Sequence, residues 1–272
     1  MTNLQNGNLM TERLYRDPLN FQEREEFELD LISFCDRELD LLGDIRSLNV
    51  LYAGGSSLLW TEGLSQRIGG GGSVTALDID SERIEETRGS LPDAELAAPV
   101  RLVLGNVFHP PFESGKFDLA YSSGLFHELD VRENGAERAL AALARVVRPG
   151  GRIAMSDFVD SIPAVQLEDE ELQRELARET SRAELYGIGA PERLVALHKS
   201  VLNSVRSRIS PPYEIRHLDK VVLAEGEADV SRLSAARAVE LRQRREGLLE
   251  RVRREGYTRP ATIYIEGFVA AG

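Results

Sequence analysis

Between Asn49 and Phe158 five short runs rich in β-branched and apolar residues recur: NVLYA from Asn49, VTALD from Val74, VRLVL from Val100, FDLAYS from Phe117 and RIAMSDF from Arg152. Helical stretches lie between most of them, and across residues 136–147 Leu140, Leu143, Ala144 and Val147 fall on one side. Strands alternating with helices in this way call for right-handed crossovers and a parallel, doubly wound α/β sheet. With 42% hydrophobic residues among 272, the chain has enough apolar material to fill such a core.

The flanks read differently. Residues 1–20 form a polar, poorly ordered lead, after which Asn20 and Glu23 are spaced as a capping box for a helix carrying Phe27, Leu31, Phe34, Cys35 and Leu42. After Phe158 the segment 160–212 is rich in Glu and Arg and reads as helices broken at Tyr186-Gly187-Ile188-Gly189-Ala190-Pro191, a helical cap over the sheet. Tyr186 is the residue expected to reach inward from it, with a plain packing role as the alternative. From Tyr213 the run YEIRHLDKVVL reads as a strand or two; an Arg-rich helix over 231–255 and a closing strand in ATIYIEGFVA follow. The expected division is therefore a lead at 1–20, a core made of 21–159 plus 213–272, and a cap at 160–212.

Charge and composition exclude several classes. A formal net charge of -12 opposes binding to a phosphate backbone, so a small-molecule partner is expected and nucleic acid is not. The single cysteine, Cys35, rules out an intramolecular disulfide, and the four histidines lack metal-ligand spacing, so no metal is expected. No basic-then-apolar lead occurs, and no apolar run approaches the ~18 residues of a membrane span, which points to the cytoplasm. A homodimer is left open.

In an open parallel sheet, ligands bind beyond the carboxyl ends of the strands, where strand order reverses. The first strand ends in Tyr52-Ala53-Gly54-Gly55-Ser56-Ser57, whose small residues allow close approach of a ligand to the backbone. Asp78 ends the second strand, 24 residues beyond Gly54, where a carboxylate can accept both hydroxyl protons of a ribose. Asn106, at the end of the third, supplies an amide suited to an exocyclic amine. The frame Gly-x-Gly-x-x-Gly of nicotinamide-dependent oxidoreductases is absent, because from Gly54 it meets Ser56 and Leu59.

Gly105-Asn106-Val107 running through HPPFESGKFD into the fourth strand, and RVVRPGGRIAMSDF leading into the fifth, resemble class I S-adenosylmethionine-dependent methyltransferases of the small-molecule type over residues 49–158. The resemblance implies a mostly parallel, seven-stranded Rossmann-like sheet that binds S-adenosyl-L-methionine and transfers its methyl to O, N or C of a small acceptor. It sets Ala53, Gly54, Gly55 and Ser56 against the methionine part, Asp78 on the ribose and Ile79 on the adenine face. Asn106 and the backbone of Val107 meet the adenine edge, and the Ser122 carbonyl meets the ammonium.

The first loop departs from the family's Asp-x-Gly-x-Gly-x-Gly: Tyr52 stands for the acid, and Ser56 and Leu58 for two glycines. That implies a weaker hold on the cofactor or a changed pose, with restoration of Asp at 52 and Gly at 56 expected to tighten it. It also motivates the alternative of a ligand-binding or non-methylating protein on the same fold. His127 in SSGLFHELD is the candidate catalytic base, because it follows the fourth strand and faces the expected cleft.

Overall fold

The computed structural model describes residues 18–160, 163–224 and 230–271, so the expected lead lies, up to residue 17, outside the described residues. Helix α1 (Phe21–Asp40) starts with the capping box: Asn20 Oδ1 accepts the Glu23 N–H at 3.0 Å and Glu23 returns a carboxylate to the Asn20 N–H at 3.1 Å. Phe27, Phe34, Cys35 and Leu39 make its buried stripe.

The five expected strands form β1 (Asn49–Ala53), β2 (Ser73–Asp78), β3 (Val100–Leu104), β4 (Phe117–Ser123) and β5 (Val147–Phe158), all parallel. With β6 (Asn203–Ser210) and β7 (Thr262–Phe268) they build one sheet in the order β3-β2-β1-β4-β5-β7-β6, β7 running antiparallel to both neighbours. Strand order reverses between β1 and β4, which opens the crevice above their carboxyl ends.

The sheet's two faces bury different residues. Val50, Tyr52, Val74, Ala76, Leu119 and Tyr121 pack under α1 and α2 (Leu58–Ile68). Leu51, Ala53, Leu77, Ala120, Ile153 and Ile263 pack on the other face with α4 (Gly135–Val146) and α6 (Pro191–Val201). Helix α3 (Ser81–Ser90) joins β2 to β3.

The expected division moves in two places. Residues 160–212 are not one cap, because α6 packs on α4 and β7 and leads directly into β6, an edge strand of the core sheet. NSVRSRIS gives little apolar signal because most of β6 is exposed, as an edge strand with one neighbour allows. Downstream, the segment read as a strand contains α7 (Leu218–Ala224) instead, and Tyr213 makes only an isolated bridge with Arg259. Leu218, Val221 and Val222 have helical spacing, and that spacing overrides the strand preference of two valines.

The cap is α5 (Ala164–Thr180), α7 and α8 (Ala235–Glu255), closed around Val165, Leu172, Val222, Leu241, Leu248 and Val252. The arginines of α8 pair mainly across to α5: Arg237 with Glu175 and Glu179, Arg244 with Glu175, Arg251 with Glu168. Among the described residues no helix is long and apolar enough to cross a membrane.

Candidate active site

The loop after β1 is shaped by two glycines. Gly54 has φ +69°, and its N–H and that of Gly55 donate to the Leu77 carbonyl at 2.9 and 3.2 Å, which ties the loop to β2. Tyr52 points to the α1 face and stacks on Tyr121, with ring centroids 5.9 Å apart. Burial raises its phenol well above its usual pKa, so no negative charge stands where the loop lacks an acid. Ser57 begins α2 without capping it, and its Oγ is buried with no hydrogen-bond partner.

Asp78 closes the next turn. One oxygen accepts the Ser56 N–H at 3.2 Å and the other the Asp80 N–H at 2.9 Å. A carboxylate has about four acceptor positions, so capacity remains for a ribose diol. Ile79 beside it is 70% exposed, an apolar side chain at the rim with one face open. Asn106 uses Oδ1 on the Phe108 N–H at 2.8 Å, an Asx turn that fixes the side chain and leaves its N–H groups and a second lone pair for a ligand edge.

His127 sits in a short 3-10 turn (Phe126–Glu128) after β4. Its Nδ1 lies 2.7 Å from Asp157 Oδ1, and the other carboxylate oxygen accepts the Phe126 and His127 N–H groups at 2.7 and 3.2 Å. Asp157 is buried at the end of β5, so it fixes the turn and the ring together. Burial works against the imidazolium, but the attraction and hydrogen bond of Asp157 outweigh it and push the pKa up to about 9. Near neutral pH His127 is therefore a cation and a hydrogen-bond donor, which opposes its expected use as a base.

These groups line one cleft of about 570 Å³. Gly54, Ser56, Asp78, Ile79, Asn106, Val107 and His127 face it; Ala53, Gly55 and Ser122 do not. Ser122 is held inside the sheet opposite Met155, and Ser123 and Gly124 reach the cleft in its place. A second cavity of about 400 Å³ adjoins the first, and the two share Trp60, His127, Phe158 and Arg259. Its other walls come from Phe27 and Leu31 of α1, Gln166 and Glu170 of α5, and Val221 and Val222 of α7.

The sequence reading missed Glu38, Trp60, Asp157, Gln166 and Arg259, whereas Glu170 falls in the acidic 168–171 cluster, read mainly as a solvated helix face and otherwise as favouring a cationic substrate. Asp157 carried a signal, an acid closing an apolar strand; the rest reach the site through tertiary packing. Tyr186 takes the packing role of the two readings open for it: it sits in the core under Arg193, whose guanidinium lies 3.5 Å from its ring centroid. Its neighbour Ile188 lines the second cavity.

The residues fit an adenosine-bearing sulfonium ligand on chemical grounds. The cleft has a small-residue loop, a carboxylate with spare acceptors and an apolar rim. Ser57 Oγ and Trp60 Nε1, buried and without partners, are costly to leave unpaired and call for a polar ligand.

Comparison with known proteins agrees with this geometry. Residues 51–155 match the family model described as a methyltransferase domain. The chain is 30% identical over 142 residues to the ubiquinone/menaquinone biosynthesis C-methyltransferase UbiE of Idiomarina loihiensis, covering 50% of this chain and 55% of that protein. It is also 30% identical over 113 residues to a demethylmenaquinone methyltransferase of Lactococcus lactis subsp. lactis, covering 41% and 42%. The chain thus spans about half the length of the curated relatives it matches.

Among solved structures, a putative sarcosine dimethylglycine methyltransferase from Galdieria sulphuraria superposes with a TM-score of 0.55 at 20% identity, over 93% of this chain and 91% of that one. A geranyl diphosphate methyltransferase in complex with S-adenosylmethionine gives 0.53 at 16% identity, over 93% of each chain. Residues 51–155 thus match the methyltransferase domain model, and the sheet that they anchor has the fold of these solved methyltransferase structures.

Proposed function

We propose that this protein transfers a methyl group from S-adenosyl-L-methionine to a small-molecule acceptor. The observation that carries the reading is the meeting of two cavities at His127, one lined by the β1, β2 and β3 loops and the other by mostly apolar side chains of the helices above. The cofactor supplies an electrophilic methyl on sulfonium sulfur when bound.

Asp78 accepts from the ribose hydroxyls, Ile79 covers the adenine face, and Asn106 and the Val107 backbone meet its edge. Gly54 and Ser56 form the wall for the methionine part, with Ser123 and Gly124 beside them at the carboxyl end of β4. The acceptor occupies the second cavity, whose volume is in the range of small-ligand pockets. Holding the acceptor in line with the methyl supplies most of the rate, so positioning by Trp60, Phe158 and the cap matters more than any single proton transfer.

His127, kept protonated by Asp157, donates from Nε2 to the acceptor and orients it. Glu170 is half-buried on α5, and its pKa is raised by burial, opposed in part by His127. It faces the same cavity and is the carboxylate placed to take a proton from a hydroxyl or amine.

The test is single-turnover transfer of labelled methyl from S-adenosylmethionine to molecules in a small-metabolite extract, with mass spectrometry of the product. A labelled small molecule supports the reading. Cofactor binding with no labelled product from any fraction contradicts methyl transfer.

A further inference from the structure

The cleft contains one carboxylate with no task in the site described above. Five acids line it: Asp78 ties the loops, Asp80 caps α3 through the N–H groups of Glu82 and Arg83, Asp157 holds His127, and Glu128 stands at the open rim. The fifth, Glu38, comes from α1 and is 1% exposed. Its Oε1 accepts a hydrogen bond from Thr262 Oγ1 at 2.9 Å, and Arg37 Nη2 lies 3.9 Å away, beyond hydrogen-bond reach.

A buried carboxylate is costly unless a cation compensates it at close range. Glu38 lines the same cleft as Tyr52, Ser57 and Trp60, and it acts electrostatically on Tyr121, the ring stacked on Tyr52. It therefore lies below the point where β1 and β4 diverge. Ser57 Oγ and Trp60 Nε1, buried donors with no partner, line that cleft with it, and the Trp60 ring meets Phe34, one turn above Glu38, at 6.0 Å. A buried anion among unpaired donors is complementary to a zwitterion.

We propose that Glu38 receives the ammonium group of the cofactor's amino-acid end, while Ser57 Oγ and Trp60 Nε1 donate to its carboxylate. The assignment rests on the cofactor reading above. It puts the counter-charge on the first helix, where the loop after β1 has Tyr52 instead of an acid. Closure of α1 over the sheet is thereby linked to cofactor binding.

The test is calorimetry with two probes, S-adenosylhomocysteine and 5′-methylthioadenosine, which lacks the amino-acid end. Glu38→Gln is expected to weaken S-adenosylhomocysteine by about ten- to a hundredfold, as for loss of a charge-assisted hydrogen bond, and to leave methylthioadenosine within about twofold. Trp60→Phe is expected to show the same selectivity to a smaller degree. Equal losses for both probes, or no loss for S-adenosylhomocysteine, overturn the assignment of Glu38 and leave the cofactor reading intact. Wild-type protein that binds neither probe overturns both.

If thermal unfolding shows that Glu38→Gln does not fold, the wild-type protein decides with an adenosylthio-butyrate that keeps the carboxylate and lacks the ammonium. Binding at least about tenfold weaker than S-adenosylhomocysteine is expected, and equal binding overturns the proposal.

Discussion

A Cβ on Gly55 would lie 2.2 Å from Cδ1 of Tyr52, so the glycine is present because the tyrosine ring fills the space beside it. The two positions form one unit: the ring replaces the acid that the family carries, and the loop closes over it. Gly55→Ala is expected to destabilise the fold by about 1–3 kcal/mol, the usual cost of overpacking. The sequence-based expectation for Tyr52→Asp reverses. Tyr52 is 2% exposed, so the substitution leaves a cavity with a buried charge in it and should cost about 3–5 kcal/mol without tightening cofactor binding. Urea unfolding of both variants checks this; a Tyr52→Asp protein of unchanged stability would show that the ring is dispensable.

His127 and His198 give opposite pH dependences. The folded pKa of His127 is raised to about 9 against about 6.5 when unfolded, so its stabilisation is complete below about pH 6.5 and is lost as pH rises through 9. Burial of His198, only partly offset by the Leu194 carbonyl, lowers its pKa to about 4; its contribution is present above about pH 6.5 and is lost as pH falls towards 4. His127→Gln should therefore remove the decline in unfolding free energy between pH 6.5 and 9.5. The same decline in the variant would place its cause elsewhere.

Most of the sheet was legible because β1 to β5 alternate with helices and because buried parallel strands read as apolar runs. β6 was not, since an exposed edge strand has no apolar pattern to read, and α7 was misread because Val221 and Val222 favour strands locally but sit on a helix held by its cap contacts. In the site, loop residues such as Gly54, Asp78 and Asn106 could be found from their places at strand ends. Glu38 and Gln166 lie on amphipathic helices, where a residue facing a cavity has the same sequence spacing as one facing the core.

The corrected cap boundary changes what acceptor binding should protect. Gln166, Asp169 and Glu170 on α5 and Leu218, Val221 and Val222 on α7 line the second cavity, whereas α6 and β6 belong to the core. Hydrogen exchange with cofactor plus acceptor should slow over Ala164–Thr180 and Leu218–Ala224 and stay unchanged over Pro191–Val201. Protection spread evenly over 160–212 would restore the single-lid picture, and none on α5 would move the acceptor elsewhere.

Calorimetric titration of wild-type and Asp78→Ala protein with S-adenosylhomocysteine decides whether the cleft over β1 and β2 is a cofactor site. Wild-type protein should bind one equivalent. Asp78→Ala should weaken binding by about 1.5–3 kcal/mol through loss of the charge-assisted bonds to the ribose. Because the same carboxylate holds the Ser56 and Asp80 N–H groups, the variant should also melt at a lower temperature. No binding by wild-type protein, or an affinity that Asp78→Ala leaves unchanged, would contradict cofactor recognition at this site.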